Sequence, residues 1–285
     1  MTSTLLSLGH GYSARALARR LLPQGWTVLG TTRDPGKADA LRAEGVEPVA
    51  WDRAAVAEAL GRATHLLVSA GPDADGDPSL RLCRDAIAAR APALDWAGYL
   101  STTGVYGDHG GDWVDEDTPL TPGTRRGQWR LQAETDWRAV PGLPLHIFRL
   151  AGIYGPGRGP FEKVRNGTAR RIVKPGQVFS RIHVEDIAQV LEASIRKPAP
   201  GSAYNLCDDD PAPPQDVLLH AAELLDVAPP PEIAFDAAEM SPMARSFYAE
   251  NKRVSNRRIK DELGVQLRYP DYRAGLRALL DEEQG

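Results

Sequence analysis

The chain has 285 residues, 42% hydrophobic and 25% charged, with a formal net charge of −4. That suits a soluble globular protein with one large domain, or one domain with a smaller appendage. The mild negative charge argues against a basic nucleic-acid-binding surface. No apolar run approaches about 18 residues and no basic leader precedes one, so no nucleic acid, no membrane and a cytoplasmic location are expected.

The first stretch, Leu5-Leu6-Ser7-Leu8, is a short apolar run ending at Gly9. A helical pattern follows, with Ala14, Leu17, Ala18, Leu21 and Leu22 on one face. Strand, glycine turn and helix are the setting in which G-x-G-x-x-G/A binds a dinucleotide. Gly9 allows the sharp turn, Gly11 lets backbone approach a pyrophosphate, and Ala14 lets the helix pack closely. Gly9, His10, Gly11, Tyr12, Ser13 and Ala14 are therefore candidate cofactor-binding residues, with the phosphates on the helix N-terminus. Strand signals recur at 26–31, 46–51, 65–69, 96–101 and 145–150, the third weakened by Pro48. Helical signals lie between them at 37–43, 54–60, 80–89 and 128–138. Repeated β-α units predict an α/β fold: a Rossmann-type, doubly wound parallel sheet.

Ligands of such sheets sit beyond the carboxyl ends of the strands. Those ends add Thr32, Arg33, Asp52, Ser69, Ala70 and Gly71 to the cofactor set. At the second strand an NAD enzyme usually carries an acid for the ribose 2′-hydroxyl. Here the run is Thr31-Thr32-Arg33, with Asp34 one step late. A hydroxyl followed by arginine suits a 2′-phosphate, so NADP is favoured over NAD. The alternative is a solvated Arg33 with Asp34 curling back to the ribose. Residues 107–124 read as a polar loop; its acids at Asp112, Asp115, Glu116 and Asp117 lack EF-hand spacing or histidine partners, and no metal is expected. Beyond Pro156 the alternation fails. The expected division is residues 1–155 for the cofactor domain, with 181–207 returning to it, and 156–285 mainly for a smaller, partly interleaved C-terminal substrate domain. The cleft between them is the default site for a small-molecule substrate. The basic stretch from Lys252 to Lys260 reads as a solvated helix face, and Cys83 and Cys207 as buried thiols.

Several motifs occur in order: Gly9-His10-Gly11-Tyr12-Ser13-Ala14, Ser101-Thr102-Thr103-Gly104-Val105-Tyr106-Gly107, Ala133-Glu134, Arg149 through Gly157, Arg181 through Ala188, and Tyr204-Asn205-Leu206. Together they resemble the extended short-chain dehydrogenase/reductases, the NAD-dependent epimerases and dehydratases, and more narrowly an atypical member. The resemblance implies a Rossmann domain, a small substrate domain and, because it is common in that family, a homodimer. It also implies a Tyr-x-x-x-Lys motif before Ala133-Glu134. Counting back, the tyrosine slot holds Arg126 and the lysine slot Arg130. Arginine stays protonated and cannot replace a phenolate base. Thr102 matches the family's Ser/Thr and would orient a substrate oxygen. Proton transfer favours histidine, and the proton carrier is taken to be an unassigned group near His109, in the loop after the fifth strand, or near Tyr106. The catalytic set is thus Thr102, His109, Arg126 and Arg130. The two arginines suggest an anionic substrate. Two functions remain open: an NAD(P)-dependent oxidoreductase or epimerase-like enzyme with an altered acid/base group, or an inactive NADP-binding sensor or scaffold.

Overall fold

The computed structural model describes residues 3–284, so Met1, Thr2 and Gly285, at the ends of the expected domain ranges, lie outside the described residues. The first half runs β1 (Thr4–Leu8), α1 (Tyr12–Leu21), β2 (Thr27–Thr32), α2 (Ala38–Ala43), β3 (Glu47–Ala50), α3 (Arg53–Arg62), β4 (His65–Val68), α4 (Pro78–Arg90), β5 (Trp96–Thr102), β6 (Trp113–Val114) and α5 (Arg125–Arg138). Then come β7 (Leu145–Leu150), β8 (Gly152–Tyr154), α6 (Phe161–Arg165), β9 (Arg171–Val173), β10 (Arg181–His183), α7 (Val184–Arg196), β11 (Ala203–Leu206) and α8 (Pro214–Leu224). The chain ends with β12 (Glu232–Ala234), α9 (Pro242–Phe247), β13 (Arg253–Val254), α10 (Arg257–Asp261) and α11 (Tyr272–Gln284).

Seven parallel strands form the central sheet in the order β11-β7-β5-β4-β1-β2-β3. This is the doubly wound Rossmann-type arrangement. The order reverses between β1 and β4, which opens a crevice at their carboxyl ends. β1, β4 and β7 are buried along their whole lengths, as expected of inner parallel strands covered on both faces. Pro48 sits in β3, the edge strand, where a missing N–H costs least. One face buries Ala14, Leu17 and Leu21 of α1 with Ile187 and Leu191 of α7. The other buries Val56 and Leu60 of α3, Ile87 of α4 and Trp137 of α5.

A separate apolar cluster joins α6, α8 and α11 through Phe161, Val164, Ala221, Leu276 and Leu280. Residues 203–206 supply the edge strand β11. Val254, Ile259, Leu263 and Val265 pack into the core of the main sheet.

Two expectations are corrected. The 107–124 loop is not wholly solvated: Trp113–Val114 pairs in parallel with Arg253–Val254. The Glu116 side chain is buried and accepts a hydrogen bond from Asn205 N at 2.7 Å. Nor is the 252–260 stretch a solvated helix face. It contains β13, and three of its cations form ion pairs: Arg258 with Asp117 at 2.8 Å, Lys260 with Asp209, and Lys252 with Glu250 at 2.9 Å. The acidic loop and the basic stretch meet across about 140 residues of sequence through the β6–β13 pairing and through Arg258, a contact that local composition does not reveal.

Candidate cofactor and active site

β1 delivers Gly9 at φ +85°, the left-handed region that favours glycine. A Cβ there would stand 2.7 Å from Ala70 N. The turn is braced from both sides. Thr31 Oγ1 accepts from Gly9 N at 2.7 Å and donates to Ser7 O at 3.0 Å, while the Ser69 hydroxyl donates to Gly9 O. Gly11 is the N-cap of α1 and brings no capping side chain. A Cβ on Gly11 would meet nothing nearer than Gly9 O at 4.0 Å. A helix N-terminus with uncapped N–H groups, next to a glycine with open space, fits a dinucleotide pyrophosphate.

The flanking side chains take different directions. His10 packs over Gly30, where a Cβ would come within 2.8 Å of its ring. Both ring nitrogens are buried without a partner, and burial pushes the His10 pKa down to about 4. Tyr12 donates to Pro156 O at 2.9 Å and carries Arg158 over its ring. Ser13 and Ala14 are buried in the first turn of α1. Asp52 caps α3, accepting from Ala55 N at 2.9 Å. Ala70 lies against Gly9, and Gly71 faces the Arg130 guanidinium. At the end of β2, Thr32 Oγ1 bonds the backbone of Asp34, and the Asp34 carboxylate accepts from Gly36 N at 2.9 Å. Asp34 therefore serves its own turn rather than curling back. Arg33 is exposed and lies over Trp51, its Cζ 5.1 Å from the ring centroid.

The second half of the crevice is built from β5 and α5. Thr102 ends β5, half-buried, and its Oγ1 accepts from Gly104 N at 3.2 Å. That bond leaves the hydroxyl proton free to donate. The first turn of α5 packs directly on this corner: a Cβ on Gly127 would lie 2.8 Å from Gly104 O. Arg126, one residue earlier, is exposed. Arg130 turns inward and donates to Leu100 O at 2.7 Å and Tyr99 OH at 3.2 Å. Its other terminal nitrogen would stand 3.3 Å from a Cβ on Gly71, so Arg130 ties the end of β5 to the loop after β4. His109 sits farther along the loop, its Nε2 3.1 Å from Tyr106 O and its backbone N–H on Asn251 O.

Beneath the crevice runs a buried polar network that motif reading did not decipher. Arg149 meets Glu134 in a two-point ion pair, Nη2 to Oε2 at 3.0 Å and Nε to Oε1 at 3.3 Å. Ser101 donates to the same carboxylate. Arg149 also donates to Tyr106 OH at 2.9 Å, and Tyr106 donates to Asn205 at 2.7 Å. The Tyr106 hydroxyl is thus occupied, and burial pushes its pKa up to about 12. Glu134, Arg149 and Asn205 each lie in one of the motifs quoted from the sequence, but nothing in their spacing pairs them with one another. Thr31, the brace of the glycine turn, carried no signal beyond a hydroxyl at a strand end. Among the described residues, no group of three or more His, Cys, Asp or Glu is placed to hold a metal. Nor is any helix among them long and apolar enough to cross a membrane. Cys83 and Cys207 are free and buried.

Comparison with known proteins places this geometry. No protein-family model matches the chain. Protein YeeZ of Escherichia coli strain K12 is 30% identical over 280 residues, spanning 93% of this chain and 95% of that one. A conserved protein of unknown function from Silicibacter pomeroyi DSS is 60% identical, with a TM-score of 0.94 and full coverage of both chains. A Methylobacillus flagellatus protein whose structure is described under the name of an NAD-dependent epimerase/dehydratase, an activity not established for it, is 27% identical with a TM-score of 0.74, covering 100% and 99% of the two chains. The chain belongs to the family of Protein YeeZ. MoeE5 in complex with UDP-glucose and NAD, 18% identical with a TM-score of 0.78, shares the fold over 99% and 98% of the chains. In this chain the Rossmann turn ends β1 and the Thr102 corner ends β5, two strands away across β4, and Arg130 reaches from β5 to the loop after β4.

Proposed function

We propose that the chain is an NADP-dependent oxidoreductase or epimerase-like enzyme, acting on a small anionic substrate through an altered acid/base site. One observation carries this reading. The Gly9–Gly11 turn, the Thr102 corner and the inward Arg130 converge on one crevice, with the start of α5 packed against Thr102. The bound dinucleotide would supply hydride transfer at C4 of its nicotinamide. The Gly9–Tyr12 backbone would hold the pyrophosphate, and Arg130 would hold a ribose or phosphate oxygen. Thr102 would donate to the oxygen on the reacting carbon. Arg126, at the position counted as the tyrosine slot, is exposed at the start of α5 and available to an anionic group. The MoeE5 complex adds sugar nucleotides to the substrates worth testing. The smaller cluster of α6, α8 and α11 would carry the substrate-side wall, and cytoplasmic location follows the sequence reading.

The test is a titration with NADP⁺ and NAD⁺, followed by a hydride-transfer screen over sugar nucleotides and small carbonyl acids. Turnover lost in Thr102→Val, with cofactor binding kept, supports the enzyme. Clear preference for NAD⁺ overturns the NADP assignment. A second reading, an NADP-binding sensor without turnover, draws on the His109 and Tyr106 contacts. His109 lies against a backbone carbonyl and Tyr106 is held by Arg149 and Asn205, so both proton-carrier candidates are engaged. Silence across the panel despite tight cofactor binding favours it.

A further inference from the structure

We infer that Trp51 is a positioning residue for cofactor choice: it lays Arg33 flat at the end of β2, where the 2′-phosphate of NADP would be received. The inference rests on the dinucleotide reading above and concerns how this chain sets its selectivity. Its basis is the disposition of the ions around the end of β2. Arg33 is exposed and, among the described residues, has no carboxylate within ion-pairing distance. Two acids in its neighbourhood are otherwise engaged, although Asp73 still feels the Arg33 charge. Asp34 caps its own turn through Gly36 N, and its backbone is tied by Thr32 Oγ1. Asp73 is held by Arg81 through contacts of 2.5 and 3.0 Å, which keep its carboxyl at about 2. What Arg33 does have is an indole face, 5.1 Å from its Cζ.

The indole is itself held in place. The Trp51 backbone N–H donates to Thr32 O at 3.1 Å, which fixes the end of β3 beside the end of β2. Its side chain is half-buried against the apolar cluster that contains Val49, Val56 and Leu80. A guanidinium on an aromatic face keeps its edge free. The edge carries the N–H donors that suit the bidentate geometry of a phosphate. The same β2 end touches the glycine turn, since Gly9 N bonds Thr31 Oγ1 and His10 N–H reaches Thr31 O at 3.4 Å. Trp51 therefore pre-orders a long, entropy-rich side chain, whose ordering would otherwise weaken binding. An acid at the end of β2 would repel the phosphate. Here the acid is present one residue late and is locked into its own turn.

The experiment compares dissociation constants for NADP⁺ and NAD⁺ in the full-length protein and in Trp51→Leu and Trp51→Phe, each at low and moderate salt, with thermal melts as a folding control. Trp51→Leu is expected to weaken NADP⁺ by about three- to fivefold, the scale of a lost cation–aromatic contact, while NAD⁺ changes less than about twofold. Trp51→Phe should restore most of the ratio. Equal weakening of both dinucleotides, or no rescue by phenylalanine, overturns the inference and leaves Trp51 a packing residue. If the parent prefers NADP⁺ and the Trp51→Leu ratio is unchanged, only this inference falls. If the parent binds neither dinucleotide, the cofactor reading falls and takes the inference with it.

Discussion

Gly9 shows most directly how one residue governs the site. Its φ of +85° and the 2.7 Å that a Cβ would leave to Ala70 N act together. Gly9→Ala should cost about 1–3 kcal/mol of stability through strain in the turn and abolish dinucleotide binding. A thermal melt paired with a cofactor titration checks both, and a variant that binds normally would refute the role of the turn. The two arginines of α5 make a second contrast. Arg126 is exposed and Arg130 is bonded to Leu100 O and Tyr99 OH. Arg126→Ala should leave stability within about 0.5 kcal/mol of the parent, so any loss of anionic-substrate binding reports direct contact. Arg130→Ala should lower both stability and cofactor affinity, because it frees a buried strand end. Sequence spacing identified both positions, but only the packing separated their directions.

Among elements, the join between β5, α5 and β7 is the most informative. Its ion pair is almost wholly enclosed, with Arg149 and Glu134 side chains 4% and 2% exposed. Removing one partner strands a buried charge, so Glu134→Ala should destabilise by about 3–5 kcal/mol. Denaturant unfolding measures this. The double variant Glu134→Leu with Arg149→Met should recover much of the loss, because it removes both charges together. A single variant of near-parent stability would show that the network contributes little. The same network explains why widely spaced polar letters in the sequence belong together. Ser101, Glu134, Arg149, Tyr106 and Asn205 lie on separate elements and converge only when the sheet forms. The acidic 112–117 loop and the basic 252–260 stretch fit the same pattern. Each reads as a solvated run alone, and in the fold the two meet through the β6–β13 pairing and Arg258.

Across the whole molecule, buried titratable groups set a pH profile. Burial holds His10 and His183 neutral down to about 4, against 6.5 in the unfolded chain. Between those values the unfolded chain binds more protons, so stability falls as pH drops through the window. Asp208 acts in the opposite sense. Its carboxyl is buried, and burial pushes its pKa up to about 8 despite the field of Arg181 and the nearby backbone N–H groups of Arg181 and Asp210. Between about 4 and 8 the folded protein holds the extra proton, so stability falls as pH rises. The two histidines outweigh Asp208 below pH 6.5, and above it Asp208 acts without them. These three groups therefore pull in opposite directions on the two sides of about pH 6.5, with slopes of up to about 1.4 kcal/mol per pH unit per group. Asp208→Asn should therefore raise the melting temperature more at pH 8 than at pH 5 and flatten the descending limb. An unchanged limb in that variant would place the proton elsewhere.

The sequence by itself determined the doubly wound parallel sheet, the glycine turn and the strand ends around it. Those features are local: apolar runs of strand length, helical periodicity and glycine spacing act over about ten residues. Tertiary structure alone decided which polar groups face the crevice and which are consumed beneath it. Arg33 came to rest on Trp51 and Asp34 in its own turn, and these outcomes depend on how β2 and β3 align. The engagement of Tyr106, the inward turn of Arg130 and the pairing of Glu116 with β11 likewise depend on side chains meeting across the sheet. A hydrogen bond or ion pair between distant residues leaves no periodic trace along the chain. The Gly9–Ala14 turn could therefore be read from the sequence, while the chemistry beside it waited for the fold.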